Sequence, residues 1–95
     1  MKKVWILQVA WDFRGESGYD IVRVFGEKTK AQDALREFVL NEQKTSWLNE
    51  FLEYDLTPKD DRELDEYDFS DDSFYAESYE AEGRTEVWIT AFMVN

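Results

Sequence analysis

Two stretches of this chain are apolar on both of their alternating sets of side chains, and this limits the fold more than any other feature. Residues Lys3 to Asp12 interleave Val4, Ile6, Gln8 and Ala10 with Trp5, Leu7, Val9 and Trp11. Residues Thr85 to Val94 interleave Val87, Ile89, Ala91 and Met93 with Trp88, Thr90, Phe92 and Val94. A strand with one face in water alternates apolar with polar, whereas a strand covered on both faces reads as a continuous apolar run. The pattern predicts two central strands lying side by side.

The segments between them supply the rest of a layered domain. Phe13 to Gly18, with Gly15 and Gly18, reads as a hairpin loop, and Tyr19 to Glu27 as its return strand. Thr29-Lys30-Ala31-Gln32 has the form of a capping box, and Ala31, Ala34, Leu35, Phe38 and Val39 follow at the spacing of one helical face. A second apolar set, Trp47, Leu48, Phe51, Leu52 and Leu56, is out of phase with the first, because continuing the stripe would bury Glu42 and Thr45 or Ser46. The shift predicts a second helix or a kink, capped by Thr45 or Ser46 and ended by Thr57-Pro58. Ser73 to Ala81 alternates as a third strand, with Phe74, Ala76 and Ser78 opposite Tyr75, Glu77 and Tyr79. Residues 82–84 then turn into the last strand. The expected class is α+β: a four-stranded, mainly antiparallel sheet in ββα(α)ββ order, with one or two helices packed on one face. Strands two and three would form the edges. The 95 residues make a single domain, 1–95, with an acidic connector at about 57–72.

The two central strands pose a problem of cover. One face would carry Val4, Ile6, Ala10, Val87, Ile89, Ala91 and Met93, which suits a helix lying across it. The other would carry Trp5, Leu7, Val9, Trp11, Trp88, Phe92 and Val94, a patch larger than soluble monomers usually leave open. Its cover would be the second helix or the connector, a second copy of the chain, or a partner protein. Trp5, Trp11, Trp88 and Phe92 are therefore the candidate residues of a homodimer face.

Several function classes lose their parts. The chain has no cysteine and no histidine, which removes thiolate chemistry, disulfides, the commonest metal ligand and the commonest general base. No pair of carboxylates is singled out for glycoside chemistry, and no glycine-rich phosphate loop is present. No enzymatic activity and no cofactor are expected. Glu66, Asp68, Ser70 and Glu77 fall at positions one, three, five and twelve of a calcium-loop pattern, but Asp71 stands where that loop requires glycine. No metal site is assigned on that match. Lys2 and Lys3 precede the apolar run Val4 to Ala10, but Gln8 interrupts it and no cleavage site follows. The run is also too short to span a membrane, so a cytoplasmic location is expected.

Charge points to a partner. The formal net charge is −11, and eight acids fall within residues 57–72: Asp60, Asp61, Glu63, Asp65, Glu66, Asp68, Asp71 and Asp72. Tyr67 and Phe69 punctuate this run. Such a chain is repelled by bare nucleic acid and by anionic membranes, and attracted to basic protein surfaces. The acids would steer a partner while Tyr67 and Phe69 anchor it. The acidic run and the short ββα…ββ frame resemble the small acidic anti-CRISPR and anti-restriction proteins of phages and mobile elements, which act as nucleic-acid mimics. The resemblance implies an inhibitor that occupies a basic, nucleic-acid-binding surface of its target. The alternative expectation is a homodimeric structural domain joined through its aromatic sheet face.

Overall fold

The computed structural model describes residues 2–53, 55–59 and 61–95. The first apolar run becomes strand β1, Lys2–Phe13, and the last becomes β5, Gly83–Val94. They pair antiparallel along their whole length, from Lys2↔Val94 to Phe13↔Gly83. β2, Glu16–Phe25, returns from β1 through Arg14 and Gly15 at φ 52° and 87°. Positive φ at both central residues matches the right-handed twist of the two strands it joins. β2 forms one edge, with a bulge opposite Leu7 and Gln8.

The sheet has five strands in the order β2-β1-β5-β4-β3. β4 is Ser73–Ser78 and β3 is Glu66–Phe69. The expected four-stranded sheet thus gains an edge strand from within the connector, and the expected third strand is not an edge. Glu66-Tyr67-Asp68-Phe69 has the period-two alternation of a strand wet on one side, a signal obscured by the density of charge around it.

Helix α1, Lys28–Thr45, lies across one face and buries Ala31, Leu35, Val39 and Gln43, one residue per turn at i+4 spacing. Its N-cap is Glu27, which makes no side-chain cap bond, so the capping box expected at Thr29 does not form. Gln32 instead donates to Asp72 at 2.8 Å. The second apolar set forms a short 3-10 turn, Trp47–Glu50, in place of a helix running to Thr57. Ser46 does cap it, accepting from the Leu48 amide at 3.3 Å.

The segment after this turn folds back under α1. Gln43 is buried, and its side-chain oxygen accepts the Leu56 amide at 3.1 Å. The Tyr67 hydroxyl donates to the Leu56 carbonyl. Leu56, at φ 70°, is thereby held from both sides in a conformation uncommon for its type. The core is closed by Leu7, Val9, Leu35, Val39, Leu48, Leu52, Leu56, Phe74, Ala76 and Val87. Among the described residues, no helix is long and apolar enough to cross a membrane.

Candidate functional site

Register decides which side chains share a face. Leu7 pairs with Ile89, Val9 with Val87, Trp11 with Thr85 and Trp5 with Ala91. These residues, with Phe74 and Ala76 of β4, face the helix. Val4 pairs with Phe92, Ile6 with Thr90 and Gln8 with Trp88, and these face the opposite side. The expected partition of the central strands is therefore wrong by one residue in β5. Trp5 and Trp11 lie on the helix side, while Trp88 and Phe92 lie on the open side, so the four do not form one dimer face. The 3-10 turn and the connector do provide cover, but on the side that α1 already occupies. Nothing in the described chain covers the other face.

That open face divides into two fields. The apolar field is built by β2, β1 and the last half of β5. Tyr19, Ile21, Val24, Phe92 and Val94 are exposed there at 59%, 51%, 53%, 57% and 43%. Together they leave on the order of 500 Å² of apolar surface, in the size range at which a patch on a soluble protein is commonly functional. Its centre is ordered by hydrogen bonds. Gln8 donates to the Tyr19 hydroxyl and accepts from Thr90 at 2.9 Å, and the Tyr19 ring tilts against Trp88 with centroids 6.1 Å apart.

The acidic field adjoins it on β3, β4 and the first half of β5. Glu66 stands opposite Glu77, Asp68 opposite Tyr75, and Tyr75 opposite Glu86. Like charges directly opposite each other destabilise a strand pair, so Glu66↔Glu77 is a cost the sheet bears. Arg84 lies between Asp12 and Glu77, and its Nε is buried without a hydrogen-bond partner among the described residues. The Tyr75 hydroxyl is pushed above its ordinary range, chiefly by desolvation and then by Glu77 and Glu66, against the opposing effect of Arg84.

The predicted connector residues separate into three groups. Tyr67 and Phe69 are not surface anchors: both are half-buried and pack edge-to-face on Phe74, with centroids 5.7 and 5.8 Å away. Desolvation, then Asp55, raises the Tyr67 hydroxyl pKa, as expected for a ring turned inward. Asp65 and Asp72 serve the fold. Asp65 accepts the Tyr79 amide at 2.6 Å, and Asp72 meets Gln32 and, at 3.9 Å, Lys28. Asp61, Glu63, Glu66, Asp68 and Asp71 are exposed. Of these, Glu66 and Asp68 lie on the open face. Asp60 and Tyr54 fall outside the described residues.

Comparison with protein-family models, with curated proteins and with solved structures gives no match. Among the described residues, no group of three or more acidic side chains is arranged to hold a metal ion. The calcium-like stretch is the β3–β4 hairpin, in which Glu66 and Glu77 are cross-strand neighbours. In place of Tyr67 and Phe69, the aromatic rings that the open face presents are those of Tyr19, Trp88 and Phe92. The signal for Trp88 and Phe92 was the even-numbered alternation of the last strand, assigned to the wrong neighbours.

Proposed function

We propose that this protein is a binding module that lays its open sheet face on a protein with a basic surface, and so blocks a nucleic-acid-binding site on that target. The supporting observation is the juxtaposition on one face of a row of carboxylates, Glu66, Asp68, Glu77 and Glu86, with the apolar field around Trp88. The carboxylates favour approach to a cationic surface and discourage anionic ones. Tyr19, Ile21 and Phe92 then supply contact area once the surfaces meet. This is the mode of action of acidic anti-CRISPR and anti-restriction mimics, and under this reading the protein would meet its target in the cytoplasm. Neither catalysis nor direct contact with nucleic acid has a part in this reading.

A second reading has its own observation. Val24, Phe92 and Val94 of the apolar field lie toward the Lys2 and Val94 ends of the strands, away from most of the acids, while Tyr19 is level with Glu86. Two copies could join there and keep their acidic fields apart. The field supplies much of the roughly 800 Å² per partner that a standard interface buries.

Ile21→Asp combined with Phe92→Asp tests both readings. Each side chain is more than half exposed, so the fold is expected to persist, as read by circular dichroism. The double variant should lose capture of the basic partner by more than tenfold. If the chain dimerises through this field, sedimentation should also turn a dimer into a monomer. Unchanged capture together with an unchanged sedimentation coefficient would contradict both readings.

A further inference from the structure

The helix side of the sheet carries a feature that the open face does not use. Between the second half of α1 and strands β1 and β2 lie two adjoining hollows of about 430 and 330 Å³. They share Trp11, Glu42 and Thr85, so they are lobes of one cleft. Trp47 and Ser46 close the larger lobe, and Asp20, Val22 and Phe38 close the smaller. Each lobe is of the size that small ligands occupy.

The walls are held open by glycines. A β-carbon at Gly18 would come within 2.6 Å of the Trp11 indole, and one at Gly83 within 2.8 Å of the Trp47 indole. Each indole therefore lies directly over a bare stretch of neighbouring backbone. Trp47 is fixed further by donating its indole N–H to Thr85 at 3.1 Å. Trp11 is 40% exposed, which leaves its ring accessible from the cleft.

The chemistry of the lining is one-sided. Among the described residues, neither lobe is lined by lysine or arginine, while three acids, Glu42, Asp20 and Asp12, are among the lining residues. The Glu42 side chain has no hydrogen-bond or ion-pair partner among the described residues. Desolvation pushes its pKa above the ordinary carboxylate value. A half-buried carboxylate without a partner beside an accessible indole face is the pairing that attracts organic cations.

We propose that this cleft is a binding site for an organic cation, an alkylammonium or guanidinium group held by Glu42 and seated on the ring of Trp11. Inorganic cations are less suited, because among the described residues no group of three or more acidic side chains is arranged to hold a metal ion, whereas the Trp11 ring offers a face to an organic cation. The site stands on the opposite side of the sheet from the open face and does not depend on that face having a partner.

The test is a titration of the full chain, followed through the indole N–H resonances of Trp11 and Trp47. One probe is tetramethylammonium chloride and the other is Nα-acetyl-arginine methylamide, each matched in ionic strength by sodium chloride. Saturable shifts centred on Trp11 are expected, with a dissociation constant in roughly the millimolar range. Glu42→Gln, which keeps the shape, should weaken binding about tenfold, and Trp11→Leu by a comparable factor. Saturation by the arginine probe alone would identify the occupant as a protein side chain, and saturation by tetramethylammonium alone as a small free amine. Either result supports the site. Linear shifts indistinguishable from those in sodium chloride, or an unaltered affinity in Glu42→Gln, would overturn it. Ile21→Asp/Phe92→Asp should titrate like the parent chain, which separates failure of this site from failure of the open face.

Discussion

Phe74→Ala should cost about 3–5 kcal/mol of stability, among the largest losses expected from a single truncation in this chain. Phe74 is fully buried in the middle of the core and is the ring on which both Tyr67 and Phe69 rest edge-to-face. Its loss leaves a cavity and also removes the support that holds β3 to the sheet. For a domain of this size the unfolding midpoint should fall by roughly 15–30 °C, which thermal denaturation followed by circular dichroism would read. If the alanine variant does not fold, Phe74→Leu keeps part of the bulk and should show a smaller loss of the same kind. Amide exchange would add a local reading: Glu66 to Phe69 should lose protection before β1 and β5 do. A midpoint lowered by only a few degrees would mean that β3 is held elsewhere.

The second large effect is on binding. Reversing Glu66, Asp68, Glu77 and Glu86 to lysine changes the charge of one face by +8. Reversing Asp33, Glu37, Glu53 and Glu63 makes the same change at exposed positions outside that face. If the open face meets a basic surface, the first set should weaken association about a hundredfold or more at low salt. The second set should weaken it far less, through the general field alone. Interaction with the captured partner, measured over a salt series, separates the two. The first set should also flatten the salt dependence, because the ions displaced on binding are fewer. Equal losses from both sets would show that net charge, rather than this face, governs the interaction.

How much of this was legible in the sequence depended on whether a pattern had a unique solution. The adjacency of β1 and β5 was legible because only central strands tolerate apolar residues on both sets. Their register was not, and for the same reason. When both sets are apolar, sliding one strand by a residue exchanges one apolar set for another and carries little penalty in pattern. That ambiguity put Trp5 and Trp11 with Trp88 and Phe92, and so misplaced the candidate dimer face. Helix α1 was legible because its stripe repeats over several turns. Its far end was legible too, because the phase shift put the break by Thr45 or Ser46, and α1 ends at Thr45 with Ser46 capping the next turn. The shortness of that turn was not, because Gln43 is buried by its bond to the Leu56 amide, a contact no apolar pattern signals. β3 was hidden because charge density reads as loop, although Tyr67 and Phe69 were spaced for a strand. The acidic part of the open face was partly legible, in Glu66 and Asp68. Glu77 and Glu86 join it only through pairing between strands distant in sequence.

The central claim is that the open sheet face, with its apolar and acidic fields together, is the surface through which this protein acts. Hydroxyl-radical footprinting of the protein free and in its captured complex tests this most directly. Strong protection of Tyr19, Trp88 and Phe92 is expected, with Tyr79 and Trp47 labelled equally in both states. Protection confined to the outer side of α1 or to Asp61 and Glu63, with Trp88 and Phe92 labelled as in the free protein, would contradict it.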